Sequence, residues 1–126
     1  MANKKLRSLK SLKAEAWKLV SVFVRSLGAD WNGYTYRYTC LRRFHWKDLD
    51  CGHFFHSRLD YDLRNLRKQC TYCNRFLHGN HAKFAIKLIE ETSLEEVKQL
   101  EKDSLKKGND YTRLELEKIK IKYQQS

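Results

Sequence analysis

The hydrophobic positions near the start of the chain repeat with the period of an α-helix. From Leu9 onward, apolar residues recur at three- and four-residue spacings, and Gly28 follows the last of them. Such a stripe is the core-facing side of an amphipathic helix, and glycine commonly ends one. The pattern predicts an N-terminal helix over residues 9–27, preceded by a basic arm over residues 1–8.

The pattern changes after this helix. Asn32 and Gly33 form a turn signal, and the residues that follow are aromatic and β-branched, which suits a strand. The stretch RFHWKDLDCGHFF, residues 43–55, has the composition of a second short extended segment. We expect the two segments to form a β-hairpin, with Cys40 on one strand and His53 at the end of the other.

The second half of the chain has the pattern of a charged loop followed by helices. Residues 57–69 are heavily charged without a clean period, which predicts a long ordered loop with room for a helical turn. Residues 74–91 have a helical pattern, and Ser93 and Glu96 form a capping box that begins another helix. From about residue 110 the chain alternates polar and apolar residues, but its Glu and Lys content favours helix over strand.

Composition narrows the class of protein. The chain has 126 residues, no proline and five glycines, which predicts one folded domain and not a disordered or linker-rich chain. It carries 26 Lys and Arg against 15 Asp and Glu, a formal net charge of +11. Because an excess of positive charge attracts polyanions, we expect nucleic acid as the partner.

The apolar segments are too short to place the chain in a membrane. No run approaches the roughly 20 apolar residues that span a bilayer. The N-terminal pattern is interrupted by lysine and has no signal-peptide cleavage site. We therefore expect a cytoplasmic protein with no membrane partner. Thiols stay reduced in that compartment, so the four cysteines of the chain indicate a metal site before disulfides.

The cysteines are candidate ligands of a structural zinc ion. Cys70 and Cys73 form a C-x-x-C pair, which lets two thiolates hold one ion from a single turn. Cys40 lies thirty residues upstream, a common separation between zinc half-sites. A structural zinc ion takes four ligands, so the last must be Cys51 or His45. Cys51 is favoured because its thiolate completes a four-cysteine set.

Several polar residues follow one another in the order of an HNH, or ββα-metal, nuclease. His53 ends a predicted strand, Asn65 lies in the following loop, and Asn74 directly follows the C-x-x-C pair. Cleavage of a phosphodiester needs a base to activate water, and imidazole titrates near neutral pH. It also needs a divalent ion, and oxygen ligands with imidazole suit Mg²⁺ or Mn²⁺.

Several stretches of the chain together resemble one family closely. The stretches AWKLVSVFVR, C…WKDL…GHF, LDYDLRNLRKQCTYCN and the GN shortly after are similar to the NinG/Rap recombination nucleases of lambdoid phages. The resemblance covers roughly residues 14–90 and, more loosely, the helical tail. It implies an α+β fold with a zinc-stabilised HNH core. It also implies a structure-specific endonuclease that acts on branched DNA, Holliday junctions included.

The resemblance implies roles for individual residues. His53 matches the family's first histidine, the general base, and Asn65 matches the asparagine that orients the base or braces the loop. Asn74 matches the asparagine that offers an oxygen to the catalytic metal ion. His78 is a candidate from spacing alone. Four residues after Asn74 on one helix, it would face the same way and bind the metal ion or touch phosphate.

Two positions depart from the expected patterns. The broader HNH pattern often places an aspartate directly before the catalytic histidine, where this chain and the resembled family have glycine, here Gly52. Arg43 stands where the family usually has its second zinc cysteine, and Cys51 is interpreted as the compensating ligand. Four side chains are candidates to complete the ligand set of the catalytic ion: His53, His56, Asp60 and Asp62.

These predictions combine into one α+β domain over residues 1–126. The N-terminal helix packs behind a zinc-stabilised ββα-metal core over residues 34–91, and residues 92–126 form a helical tail. A junction offers two symmetric strands, which favours a homodimer with the terminal helices as its interface. Basic side chains around the catalytic face are expected to hold the DNA backbone: Arg42, Arg43, Arg58, Arg64, Arg67, Lys68, Arg75 and Lys83.

Two other functions are compatible with the same residues. One is a non-catalytic, zinc-containing nucleic-acid-binding protein that has lost part of its active site. The other is an HNH nuclease that nicks duplex DNA or cuts RNA. Both alternatives share the motif with the junction nuclease, so substrate preference and metal-dependent cleavage are what separate them.

Overall fold

The computed structural model describes residues 8–36, 43–55, 59–106 and 111–124. Four residues with predicted roles lie outside those ranges: Cys40, Arg42, His56 and Arg58. The elements are α1 (Leu9–Ser26), β1 (Tyr34–Tyr36), β2 (Arg43–His45), β3 (Leu49–His53), β4 (Leu66–Cys70), α2 (His81–Glu91), α3 (Leu94–Ser104) and α4 (Arg113–Gln124). The fold is therefore a mixed α+β fold. No helix in the described ranges is long and apolar enough to cross a membrane.

Helix α1 forms where the hydrophobic period predicts it. The side chain of Ser8 caps it by accepting a hydrogen bond from the backbone N–H of Ser11 at 3.1 Å. Gly28 follows its end with a φ of 72°, a conformation that glycine adopts without strain. The helix packs against β3, β4 and α4. Its buried residues are Leu12, Ala16, Val20, Ser21 and Val24.

The predicted hairpin is divided between two sheets. β1 pairs with β2 in antiparallel fashion, which places Thr35 opposite Phe44. A short 3₁₀ turn at Trp46–Asp48 then separates β2 from β3, and β3 pairs with β4 instead. His53 therefore lies opposite Leu66 of the second sheet. The single hairpin was a wrong prediction because extended composition does not show where one strand ends and the next begins.

Strand β4 was not predicted from the sequence. Residues 57–69 were predicted as a loop, but a 3₁₀ turn at Leu63–Asn65 leads directly into a strand that ends at Cys70. Two of the three interior residues of that strand, Arg67 and Lys68, are charged and only partly buried. They interrupt the apolar alternation by which a strand is recognised in sequence.

The helix predicted over residues 74–91 is interrupted near its start. Tyr72–Phe76 form a π-helical turn, and α2 begins only after a break. In the break, His78, Gly79 and Asn80 have φ values of 50°, 86° and 48°. Three consecutive left-handed residues end a right-handed helical path. The turn and α2 are therefore two separate elements.

The helical tail forms as predicted. The Ser93 side chain accepts a hydrogen bond from the backbone N–H of Glu96 at 3.1 Å, which is the expected cap of α3. α4 forms in the segment for which helix was preferred over strand, and it packs along α1. Its Leu116 is fully buried in a cluster with Leu12 and Ala16. Buried apolar residues of the two terminal helices thus pack against each other, while Leu114 and Ile121 of α4 remain exposed, and the dimer interface stays a prediction.

Candidate active site

An open cleft of about 480 Å³ lies where α1, β3 and the π-helical turn meet. His53 and Asn74, on which the predicted chemistry depends, both line it. The cleft thus brings together two residues that are distant in the sequence. The complete lining combines imidazole, carboxylate, amide, thiol and guanidinium groups: Trp17, Ser21, Arg25, Leu49, Asp50, Cys51, His53, Asn74 and Arg75.

His53 is held between α1 and the loop that follows β3. Its ring stacks on the indole of Trp17, with centroids 4.7 Å apart and planes inclined by 19°. Its Nε2 lies 3.2 Å from the carbonyl oxygen of Asp60 and 3.8 Å from Oδ1 of the same residue. A carbonyl oxygen only accepts, so Nε2 carries the proton and Nδ1 is the basic nitrogen of the neutral ring.

Asp50 is the cleft carboxylate that the sequence analysis missed. Nδ2 of Asn74 donates to Oδ2 of Asp50 at 3.1 Å, and Nε of Arg75 lies 3.2 Å from the same oxygen. The amide oxygen of Asn74 lies beside Gly52. Carboxylate and amide oxygens are hard donors of the kind that Mg²⁺ and Mn²⁺ take in proteins. Asp50 and Asn74 therefore supply oxygen donors of the kind that a divalent ion takes.

Gly52 shows why no aspartate stands directly before His53. A Cβ at position 52 would overlap Oε1 of Gln69 and would lie 2.8 Å from its Cδ and 3.2 Å from Oδ1 of Asn74. Gln69 is fully buried, and its Nε2 donates to the carbonyl of Gly79 at 2.6 Å. The space beside position 52 is thus filled by the Gln69 amide, which holds the break that follows the turn. Since side chains alternate along a strand, Asp50 faces the same side as Gly52 and supplies the carboxylate there.

Asn65 braces the loop that follows β3. The side chain is fully buried, and its Nδ2 donates to the carbonyls of Phe55 at 2.7 Å and Leu59 at 3.2 Å. Its Oδ1 accepts from the backbone N–H of Phe55 at 2.7 Å. Asn65 was predicted either to orient His53 or to brace the loop, and these bonds correspond to bracing the loop. The braced loop carries Asp60, whose carbonyl contacts His53.

Cys70 and Cys73 lie at the junction of β4 and the π-helical turn, and both are buried. The backbone N–H of Cys73 is directed at Sγ of Cys70 at 3.2 Å, and Nδ2 of Asn80 lies 3.7 Å from Sγ of Cys73. Two buried thiols three residues apart, each with an N–H group directed at its sulfur, fit a zinc half-site. Within the described ranges, no three His, Cys, Asp or Glu side chains group as metal ligands. Cys40 falls outside those ranges.

Cys51 lies in a different environment. It packs in a hydrophobic cluster with Val24 of α1 and Leu66 of β4. Burial raises the pKa of its thiol to about 12. A zinc ligand must be a thiolate, so ligation at Cys51 would require the ion to displace this proton. The packing favours a core role for Cys51. The other candidate, His45, accepts a hydrogen bond from the backbone N–H of Lys47 through Nδ1 at 3.2 Å.

His78 does not lie where its spacing predicted. The prediction required one helix running through Asn74 and His78, but the π-helical turn ends at Phe76 and His78 has a left-handed φ. His78 is exposed, and the lining of the cleft does not include it. The argument from a shared helical face was therefore wrong.

The basic residues predicted to hold DNA divide into two groups. Five of them bind partners on the protein itself: Arg43, Arg64, Arg67, Lys68 and Arg75. Arg75 lines the cleft, and Lys83 is exposed on α2. Arg25, which the sequence analysis missed, also lines the cleft. Its Nε donates to Oγ of Ser21 at 2.9 Å, and its guanidinium lies 5.3 Å from the ring centroid of Trp46.

Comparison with known proteins identifies the family of this chain. Residues 1–126 match the family model described as Bacteriophage Lambda NinG protein. The chain belongs to the NinG family. The NinG part of the resemblance predicted from sequence is therefore confirmed.

The NinG relatives are longer than this chain. Protein ninG of Salmonella phage P22 is 35% identical over 80 residues, which cover 60% of this chain and 38% of that protein. Protein ninG of Escherichia phage 933W is 34% identical over 80 residues, which cover 60% of this chain and 39% of that protein. The matched part is thus well under half the length of these curated relatives. No solved structure matches the chain.

Proposed function

We propose that this NinG-family chain is a metal-dependent HNH-type endonuclease that cleaves branched DNA, Holliday junctions included. The observation that supports this most directly is the single cleft lined by His53, Asn74 and Asp50. A base and two hard oxygen donors around one cleft are what phosphodiester hydrolysis requires. The net charge of +11 supports a polyanionic substrate.

Asp50 and Asn74 are the residues that would hold the catalytic Mg²⁺ or Mn²⁺. When bound, the ion would screen the phosphate and stabilise the leaving oxygen. Arg75 neutralises Asp50 across 3.2 Å in the structure. Its guanidinium therefore competes with a divalent ion for the same carboxylate oxygen. Once displaced, it is available to hold the DNA backbone at the cleft.

His53 is the proposed base. Nδ1 takes a proton from the water that attacks the phosphate, because Nε2 is the donor to the Asp60 carbonyl. The Asp60 carboxylate, 3.8 Å from Nε2, stabilises the positive ring that results. Stacking on Trp17 and the bracing by Asn65 hold the imidazole and its partner in place. These contacts reduce the reorganisation needed in the reaction.

Zinc at Cys70 and Cys73 would fix the turn that carries the oxygen donor. Cys73 directly precedes Asn74, so a zinc ligand and a ligand of the catalytic ion are neighbours in the chain. Zinc binding would also contribute folding free energy to a core with only short strands. Loss of zinc would therefore displace Asn74 as well as destabilise the fold.

Selectivity for branched DNA would come from recognition of the shape of the DNA and not of its base sequence. Contacts to phosphate fix position and orientation but carry no sequence information. A homodimer would match the two symmetric strands of a junction. Buried apolar residues of α1 and α4 already pack against each other, so such a dimer would use residues that these helices leave exposed, among them Leu114 and Ile121.

Cleavage of a synthetic four-way junction tests the proposal. The protein is incubated with Mg²⁺ or Mn²⁺ and either the junction or a linear duplex of the same sequence. We expect cleavage of the junction, which His53→Ala abolishes while junction binding is retained. His78→Asn is the matched control because His78 is exposed and outside the cleft lining, and it should cleave normally.

Other outcomes identify the alternative functions. Binding without cleavage in either metal ion would indicate a non-catalytic nucleic-acid-binding protein. Equal cleavage of linear duplex, or cleavage of RNA, would indicate an HNH nuclease with another target.

A further inference from the structure

Two exposed aromatic rings lie on the turn that carries the cleft residues. Tyr72 and Phe76 stack on each other, with ring centroids 5.8 Å apart and planes inclined by 26°. They are 61% and 70% exposed. Asn74 and Arg75, which lie between them in the sequence, line the cleft. The aromatic pair is therefore attached to the same short element as the proposed metal ligand.

The exposure of this pair is not required by the fold. The buried residue of the turn is Cys73, which anchors it. Large aromatic side chains gain most from burial, and exposed apolar groups beside charged ones mark binding surfaces. Leu77, 40% exposed, extends the apolar surface, and the side chain of Arg75, 67% exposed, adds positive charge to it.

We propose that Tyr72 and Phe76 form a stacking platform for a DNA base that is exposed at a branch point. Aromatic rings stack on any base because every base has a π-face, and neighbouring cations attract the attached phosphate. Charge favours DNA over a second copy of the chain as the occupant. A protein of net charge +11 attracts a polyanion, and Arg75 adds positive charge beside the two rings.

The platform would distinguish branched from linear DNA. In a linear duplex each base is covered on both faces by its neighbours, so no face is offered to the rings. A branch point interrupts that stacking and leaves a base face exposed. Stacking there would bring the adjacent phosphate to the cleft through Asn74 and Arg75 of the same turn. This inference rests on branched DNA being the substrate, as proposed above.

Binding in the absence of cleavage tests the platform. In a His53→Ala background, the double variant Tyr72→Ala/Phe76→Ala is titrated with a four-way junction and with linear duplex. We expect junction affinity to fall about 5- to 150-fold, the loss typical of one stacked base, while duplex affinity is unchanged. Trp31→Ala is the matched control, since Trp31 is 94% exposed and outside the turn, and it should bind both DNAs normally.

A fluorescent base gives a second measurement. With 2-aminopurine at the branch point, we expect binding of the His53→Ala protein to quench its emission. The double variant should not quench the emission of 2-aminopurine. Tyr72→Phe keeps the aromatic ring and should quench it. Because both side chains are exposed, the variants should keep the far-ultraviolet circular dichroism of the parent protein.

Four results would overturn the platform. The first is unchanged junction affinity in the double variant, and the second is an equal loss on junction and duplex. The third is a change in self-association by sedimentation without a change in DNA binding, which would assign the rings to a second copy. The fourth is failure of the His53→Ala protein to bind either DNA, which would remove the proposed function as well. The first three leave the cleavage result for the proposed function intact.

Discussion

Nδ2 of Asn74 donates a hydrogen bond to Oδ2 of Asp50 across 3.1 Å and so joins the π-helical turn to β3. The two residues are 24 positions apart in the chain. Their contact places a carboxylate and an amide on the wall of one cleft. The pair is the geometric basis of the proposed metal site.

Removing the charge of Asp50 should remove the catalytic ion. Asp50→Asn keeps the size of the side chain but replaces a strong oxygen donor for Mn²⁺. We expect Mn²⁺ affinity, measured by calorimetry, to fall about 10- to 100-fold or more, and junction cleavage to be lost. Asp48→Asn, an exposed carboxylate in the same segment, is the control. Equal Mn²⁺ affinity in both variants would exclude Asp50 from the site.

Removing the Arg75 side chain should strengthen binding of the metal ion. Its guanidinium pairs with Asp50 at 3.2 Å, so Arg75→Ala removes a competitor for the carboxylate. We expect Mn²⁺ to bind about two- to fivefold more tightly, in keeping with an exposed ion pair, and DNA to bind less tightly. Lys83→Ala, an exposed cation on α2, should leave Mn²⁺ binding unchanged. Weaker Mn²⁺ binding in Arg75→Ala would show that the two cations do not compete.

Asn65→Ala should destabilise the fold. The substitution removes three hydrogen bonds made by a fully buried side chain and leaves backbone groups of Phe55 and Leu59 without them. We expect the free energy of unfolding in urea to fall by about 2–4 kcal/mol. Gln124→Ala changes an exposed amide at the end of α4 and should have little effect. A similar small effect in Asn65→Ala would contradict the bracing role.

A side chain at position 52 should be tolerated only when Gln69 is shortened. Gly52→Ala forces an overlap with Oε1 of Gln69, and overpacking of this kind costs about 1–3 kcal/mol of stability. In a Gln69→Ala background the overlap is absent, so the same substitution should cost clearly less. A double-mutant cycle measures this coupling. Additive effects would show that the two positions do not share the space.

Zinc content should distinguish the cysteines. Cys70→Ala should lose zinc, because it removes half of the C-x-x-C pair. Cys51→Ala should retain zinc but lose stability, because its thiol packs in the core. Metal analysis of the purified variants, together with urea denaturation, measures both. Loss of zinc from Cys51→Ala would instead make Cys51 the fourth ligand.

The sequence predicted the helices better than the strands. α1 and α3 have long apolar stripes and serine caps, which are local signals. β4 was missed because Arg67 satisfies its charge within the fold. Its Nε pairs with Glu91 at 3.0 Å and its Nη1 donates to the carbonyl of Leu63 at 2.8 Å. A partner as distant in the chain as Glu91 cannot be inferred from the local pattern.

Prediction of the site was limited in the same way. His53 and Asn74 were found from their motif, and the structure brings them to one cleft. Asp50 and Arg25 belong to that cleft only because β3 lies against α1 and the π-helical turn, which no spacing rule shows. His78 was misplaced because the helix assumed for it contains a left-handed break.

That break, at His78–Asn80, separates the cleft from α2. The break is nevertheless tied to the turn, because the backbone N–H of Gly79 is directed at the carbonyls of Cys73 at 2.8 Å and Asn74 at 3.1 Å. Movement at the start of α2 is therefore transmitted to Asn74, so a reporter dye at that end of the helix would register changes at the cleft.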